Sequence, residues 1–288
     1  MGHISRQLSA RFHSCAFRKL FRHVRKTTVV PEDAVNDIDY LVKQGYDPLH
    51  AAYISCQNVM SLFAEAISAL KDLKPYTCIV GEAEDEYLPS GPPMSPLTGS
   101  YFTTWAFFDV RFGPDLETLG TCFLETGSDL GMNEGILTIA KSFQESRMGI
   151  YEQVGQSGGR VRLRELLNDE ECACHSPAGY LGKQGELWYV RRCPPLIDGL
   201  DYHVLMTTPY ILLAASKADW TAYLKKQVLG KQDERKNLHE FLKYGPSPNH
   251  WNEFVFQGYH HHQRDAIFLA GLPDVKGSLP HASKRRLH

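Results

Sequence analysis

Long apolar runs are absent from this sequence. No run reaches the roughly 18 residues that a transmembrane helix needs, and no secretory hydrophobic region lies near residue 1. Apolar residues still make up 43% of the 288 residues, which is enough for a folded core. We therefore expect a soluble protein of the cytoplasm, or of the mitochondrial matrix if the source is eukaryotic and residues 1–27 are cleaved.

The motifs of several large enzyme classes are also missing. The sequence contains no GK[ST] phosphate-binding loop and no HExxH zinc motif, and it has no internal repeat. These absences exclude the corresponding hydrolases and nucleotide-binding proteins in their usual form. No cofactor is expected.

A disulfide framework is not indicated. The seven cysteines are odd in number, and most are widely spaced within apolar segments. This pattern is typical of buried free thiols in a reducing compartment.

Three of the cysteines come closest to a metal site. Cys172 and Cys174 share one face of a predicted strand, because side chains alternate along a strand, and Cys193 could join them from a neighbouring strand. A structural zinc needs four ligands, however, and His175 would point to the opposite face. The favoured interpretation is that Cys172 and Cys174 fill the interior of a small barrel.

Charge is distributed unevenly along the chain. The formal net charge of −2 combines +7 over residues 1–27, −12 over 28–147, −2 over 148–213 and +5 over 214–288. The basic N-terminal arm, which we define as residues 1–27, contains an amphipathic stretch at 17–26. Three roles are open: a transit peptide, an arm that binds membrane or nucleic acid, and an arm that packs on the protein while its cations meet the acidic middle. The packing role is favoured.

The acidic region, residues 28–147, reads as a mixture of helices and strands. A helical pair is predicted from Pro31 to Gly45 and from Asp47 to Leu73, followed by a short strand at Thr77–Val80. High β propensity predicts an antiparallel hairpin. Its arms are Tyr101–Phe112 and Thr118–Thr126, and a helix follows from Gly127 to Ser146.

The rest of the chain predicts a small antiparallel barrel over 148–213 and a C-terminal helical segment with a basic tail over 214–288. Turn residues divide the barrel region into strands. These are Met148–Glu152, Gly159–Leu166, Glu171–His175, Glu186–Arg192 and His203–Leu213. Helices are expected from Ser216 to Gly230 and from Asp233 to Tyr244. The fold class is α+β, with the four charge segments as regions.

Three polar groups are candidate sites besides the cysteines. A divalent metal could bind His261 and Asp265 if they lie one helical turn apart, with His239 or His250 as a third ligand. Carboxylates could hold Mg²⁺ for phosphodiester chemistry. Those carboxylates are Glu82, Glu84, Asp109 and Glu125.

Arg160, Arg162 and Arg164 alternate along one predicted strand and therefore share a face that could contact phosphates. Several acids lie nearby, so an ordinary solvated strand face is favoured over nucleic-acid binding.

The sequence favours a non-enzymatic binding or adaptor protein that contacts a protein partner through its barrel. The alternative is a metal-dependent hydrolase or nuclease that uses the carboxylates or the histidine run. An enzyme should bring such groups together in one concave pocket, whereas an adaptor should leave them scattered.

Overall fold

The protein is described here by a computed structural model that covers residues 1–12, 38–68, 70–87, 97–230, 232–245 and 258–271. Within these ranges, helices precede and follow an eight-stranded sheet, five strands of which close into a barrel. The predicted α+β class is confirmed. No helix of the described ranges is long and apolar enough to cross a bilayer.

Seven helices precede the sheet in the described ranges. They are α1 (His3–Phe12), α2 (Ile38–Lys43), α3 (Pro48–Ser68), α4 (Lys74–Tyr87), α5 (Gly99–Phe108), α6 (Leu119–Thr126) and α7 (Glu134–Glu145). Side-chain caps fix several starts. Asp47 accepts hydrogen bonds from the first turn of α3, Thr118 forms a capping box with Thr121 at α6, and Asn133 accepts from the N–H of Ile136 in α7.

The predicted β-hairpin and the strand at Thr77–Val80 are wrong. Tyr101–Phe112 and Thr118–Thr126 lie mostly in α5 and α6, and Thr77–Val80 lies inside α4. Thr98 caps α5 by accepting a hydrogen bond from the N–H of Tyr101. Six of the ten side chains of α5 are buried, so the segment has neither a polar face nor an alternating pattern, and tertiary burial overrides its β propensity.

The barrel is confirmed, and four of its strands lie close to the predicted ranges. The predicted strand His203–Leu213 is instead divided into two short strands, and only the first belongs to the closed ring. The strands of the sheet are β1 (Arg147–Ser157), β2 (Arg160–Glu165), β3 (Glu171–His175), β4 (Leu187–Cys193), β5 (His203–Leu205), β6 (Tyr210–Leu212), β7 (Tyr259–His262) and β8 (Ile267–Leu269). The ring runs β1-β2-β3-β5-β4 and closes through β1 and β4. Its pairs are antiparallel except for β3 with β5, which is parallel.

Strand β4 forms a wall between two cores. Trp188 and Val190 point into the barrel, where they pack with Tyr151 of β1 and Cys174 of β3. The alternate side chains of β4, such as Tyr189, pack outward against the helices. By the same alternation, Arg192 belongs to the barrel interior and Arg191 to the helical side.

The C-terminal helices are confirmed as α8 (Lys217–Val228) and α9 (Glu234–Tyr244), with Ser216 and Asp233 as their caps. The chain then returns to the sheet, because β8 pairs in parallel with β6 and carries β7 at its edge. The sequence pattern missed these two strands. The basic tail lies outside the described residues.

The first turn of the N-terminal arm is bound by a buried carboxylate. Glu117 accepts hydrogen bonds from the N–H groups of Ile4 and Ser5 at 2.8 and 2.9 Å. The arm's cations also meet acids, since Arg6 pairs with Asp115 and Arg11 with Asp72. The apolar side chains of α1 are buried. The described part of the arm thus agrees with the packing role, whereas the amphipathic stretch at 17–26 lies outside the described residues.

One cluster of buried side chains extends from Ile4 in α1 to Leu269 in β8 and joins the helices to the outer face of the barrel. A second, smaller cluster fills the barrel interior. The division of the chain into four regions stays a prediction.

Candidate binding pocket at the barrel mouth

A cavity of about 200 Å³ lies at one end of the barrel. The end of α7, the start of β1, the end of β4, β5 and α9 surround it. Its polar lining includes Ser146, Arg147, Tyr151, Arg192, His203 and His239. At about 30 Å³ per water molecule in the liquid, the cavity has room for roughly six or seven waters or one small ligand.

Two arginines lie side by side in the wall of this cavity. Arg147 and Arg192 are directly opposite in the β1–β4 pairing, and each leaves 14% of its side chain exposed. Arg147 Nη2 lies 2.6 Å from Oε1 of the buried Glu165, and Arg192 Nη2 lies 3.0 Å from Oε2 of the half-exposed Glu170. Because a guanidinium carries five N–H donors, each arginine can keep these partners and still donate to a ligand.

A second charged group lies immediately behind Ser146. Arg191 and Lys243 are fully enclosed, and both form ion pairs with the buried Asp109. Lys243 Nζ also donates to the Ser146 carbonyl at 2.8 Å, and Arg191 Nη1 lies 3.2 Å from Ser146 Oγ. Two cations therefore share one carboxylate, and Ser146 connects them to the cavity.

Groups of both charges surround Ser146. The cations Arg147, Arg191, Arg192 and Lys243 pair with the buried Asp109 and Glu165 and the half-exposed Glu170, and Glu145 also lines the cavity. Burial and these charges shift the pKa values of the titrating neighbours. Burial, followed by the charge of Arg191, lowers the pKa of Lys243 to about 8, against the attraction of Asp109.

His239 is neutral at pH 7. Burial, followed by the charges of Arg147 and Lys243, lowers the pKa of His239 to about 4. The Nδ1 atom of His203 is buried and has no hydrogen-bond partner among the described residues. The two histidines therefore line the cavity as polar groups able to donate or accept a hydrogen bond.

Cys172 lies next to the arginine that lines the cavity. Arg192 Nη1 is 3.0 Å from Cys172 Sγ, and the sulfur atoms of Cys172 and Cys174 are 3.5 Å apart. Hydrogen bonds from Cys174 and His203 and the charge of Arg192 lower the pKa of Cys172 despite its burial. The hydrogen bond to Cys172 and desolvation raise the pKa of Cys174 instead.

The predicted cysteine and histidine metal sites are not assembled. Cys172 and Cys174 lie in the barrel interior, whereas Cys193 packs on the helical face of β4. His261 lies in β7 and not on a helix, so the one-turn spacing to Asp265 is wrong, and its ring stacks on Phe268. In the described ranges, no group of three or more His, Cys, Asp or Glu could hold a metal ion.

The predicted carboxylate cluster is dispersed. Glu82 and Glu84 are exposed on α4, and Asp109 is buried between Arg191 and Lys243. Glu125 accepts a hydrogen bond from the N–H of Gly2 at 2.8 Å. These acids have three different surroundings, so the structure does not bring them together as ligands of one Mg²⁺ ion.

The alternating arginines of β2 share the outer face of the barrel, but their charges are compensated. Arg162 and Arg164 both form ion pairs with Glu171. The guanidinium of Arg160 stacks 3.7 Å above the ring of Tyr202. The strand therefore presents paired charges and not an uncompensated phosphate-binding stripe.

Sequence reasoning missed the cavity residues Arg147, Arg192 and His203 as a group. One available signal was the alternation of β4, which places Arg192 on the same barrel face as the two cysteines of β3. His239 could not be found this way, because α9 reaches the cavity only through tertiary packing.

Comparisons with known proteins found no matching family model, no similar curated protein and no similar solved structure. Function is therefore inferred from the pocket itself.

Proposed function

We propose that the protein is a binding protein whose barrel mouth accepts a small oxyanion, with phosphate and carboxylate as the two chemical classes. The observation that carries this proposal is the pair of arginines, Arg147 and Arg192, which line one cavity and have more N–H donors than their ion pairs use. An anion bound there would accept hydrogen bonds from both guanidinium groups.

The lining favours an oxyanion over an apolar ligand. Arg147 and Arg192 offer planar, forked donors that match the geometry of carboxylate and phosphate oxygens. The hydroxyl of Ser146 and the rings of His203 and His239 add further hydrogen-bonding groups. The volume of about 200 Å³ fits a ligand of a few heavy atoms.

The alternative of a metal-dependent hydrolase has less support. That reaction needs several carboxylates around one ion, whereas Asp109 and Glu165 are both neutralised by cations inside the protein. An adaptor role toward a protein partner stays a prediction.

The test is the thermal stabilisation of the full chain by inorganic phosphate and, separately, by malonate, with chloride at matched ionic strength as the reference. A ligand that binds the folded state raises Tm by mass action, by an amount equivalent to about 2.7 kcal/mol at 100 times Kd. The variants are Arg192→Gln and the matched control Arg162→Gln, whose arginine lies on the outer face in an ion pair.

We expect one or both anions to raise Tm in the wild type and in Arg162→Gln, and the effect to be lost in Arg192→Gln. The relative response to the two anions assigns the ligand class. Equal shifts in all three proteins, or none in the wild type, would contradict the proposal.

A further inference from the structure

Cys172 and Cys174 differ from the other buried cysteines in what surrounds them. Burial raises the pKa of Cys56, Cys122 and Cys193 to about 12, so these thiols stay protonated and inert. Cys172 instead receives the Arg192 Nη1 hydrogen bond at 3.0 Å and lies beside His203. A cation and a histidine next to a sulfur are the surroundings that activate cysteines.

The two sulfurs are also arranged as a pair. Both side chains point into the barrel from one strand, and their sulfur atoms are 3.5 Å apart. Cys172 is 9% exposed and Cys174 is fully buried, so a reagent from solvent reaches Cys172 first. Arg192 and His203 form part of both the cavity wall and the surroundings of Cys172.

We propose that Cys172 is a nucleophilic thiolate that reacts with small hydroperoxides, and that Cys174 is the resolving thiol that converts the product to a disulfide. The inference does not depend on the oxyanion site, although Arg192 serves both.

The chemistry balances in two steps. The Cys172 thiolate attacks one oxygen of the hydroperoxide, the O–O bond breaks, and the leaving alkoxide or hydroxide takes up a proton; Cys172 is then a sulfenic acid and the peroxide has been reduced to an alcohol or water. Cys174 next loses its proton, its sulfur attacks the Cys172 sulfur, and the S–O bond breaks to release water. Overall, a dithiol and a hydroperoxide give a disulfide, an alcohol or water, and one further water.

The bridge should be reversible. Residues two apart on a strand have Cα atoms about 6.6 Å apart, near the upper end of the range of roughly 4.4–6.8 Å found for disulfides. Such a bridge is more easily reduced than a relaxed one, so an excess of a dithiol reductant should restore both thiols.

The first measurement is the pH dependence of alkylation by iodoacetamide, read for each cysteine by peptide mass mapping of the full chain in chloride buffer without phosphate. The exposed Cys78 is the internal control. A thiol of ordinary pKa, about 8.5, is only a few per cent ionised at pH 7, and part of the gain in a thiolate of low pKa is offset by lower nucleophilicity. We therefore expect Cys172 to react about tenfold faster than Cys78 at pH 7, with a midpoint at lower pH.

Arg192 is a positioning residue for this thiolate, and its variants test that role. Arg192→Gln should move the midpoint of the Cys172 profile to higher pH, and Arg192→Lys should restore much of the shift because it keeps the charge. A Cys172 midpoint near 8.5 in the wild type, with alkylation no faster than that of Cys78, would show the inference to be wrong.

The second measurement follows hydrogen peroxide treatment. The wild type should lose both thiols and gain a Cys172–Cys174 disulfide that dithiothreitol reverses, while Cys174→Ser should accumulate a sulfenic acid at Cys172 that dimedone traps. Cys193→Ser is the matched control and should behave as the wild type. Oxidation confined to Cys78, with Cys172 and Cys174 unmodified, would also overturn the inference.

Discussion

Arg191 and Arg192 are neighbours in sequence but lie in opposite environments. Arg191 points from β4 toward the helices, where its side chain is 0% exposed and pairs with Asp109. Arg192 points into the barrel mouth, where its side chain is 14% exposed and contacts Glu170 and Cys172. One strand thus places two arginines in different surroundings. The first belongs to a closed network of buried partners, and the second lies at an open cavity.

The difference separates a charge that only stabilises the fold, that of Arg191, from a charge that a ligand can reach, that of Arg192. The closed network contributes to stability only while every partner is present, because removing one partner leaves an uncompensated buried charge. The open network keeps donors that face a cavity, and perturbed titrating groups beside a cavity are markers of functional sites. Substitutions on the two sides of β4 should therefore have different consequences.

The largest effect is expected from Asp109→Asn. This change leaves Arg191 and Lys243 buried together without a counter-ion, and we expect a loss of about 3–5 kcal/mol in the free energy of unfolding. The loss should be smaller at pH values where Lys243 is deprotonated. Urea denaturation measures it. Glu170→Gln, on the open side, is the control and should cost less than about 1 kcal/mol, since Glu170 is half exposed. Similar losses for the two variants would refute the distinction.

The second-largest loss of stability is expected when the two arginines are substituted in turn. Arg191→Met removes hydrogen bonds to a charged, buried partner, so we expect a loss of about 2–3 kcal/mol. The same variant should raise the pKa of Lys243, because the Arg191 charge is one cause of its lowering. Arg192→Met should cost less stability but abolish the response to phosphate or malonate. Urea denaturation and anion-dependent Tm measure the pair, and the reverse ranking would contradict the comparison.

Acidification should weaken the protein through His239. Its folded-state pKa, about 4, lies below the ordinary histidine value of 6.5. Between these values the unfolded state binds more protons, so stability is present above about pH 6.5 and falls as the pH drops toward 4. We expect about 1 kcal/mol from this group after discounting its partial exposure. Urea denaturation at pH 7 and pH 4.5 tests this, and His239→Gln should reduce the difference.

The smallest effect is expected on the outer face of the barrel. Arg164→Ala removes an exposed ion pair with Glu171, and such pairs contribute little to stability because water screens them. The variant should also leave the pH profile of Cys172 alkylation unchanged. A urea midpoint clearly below that of the wild type would mean that the exposed face of β2 has a structural role that its contacts do not indicate.

The barrel could be predicted from sequence because its signals are local. Turn residues punctuate the strands, and the predicted Glu171–His175 has the same bounds as β3. The alternation that put Cys172 and Cys174 on one face was also correct. Likewise, Ser216 and Asp233 marked the starts of α8 and α9 through the side-chain caps that helices favour.

The hairpin and the site could not be predicted, because both depend on distant contacts. The aromatic segment of α5 has high β propensity, and only its burial among other elements makes it a helix. The Asp109–Lys243 pair joins residues 134 positions apart, and no local pattern reveals it. Sequence alone therefore makes Asp109 a candidate metal ligand, although two buried cations already neutralise it.

The spacing within β4 has a consequence for insertions and deletions. Adding one residue inside Leu187–Cys193 would rotate every later side chain to the opposite face, so that the two arginines would exchange surroundings. The same addition beside the exposed Pro177, ahead of the packing of Tyr180 on Trp188, would only lengthen a connection at little entropic cost. Length variants of this protein should thus be tolerated before β4 and rejected within it.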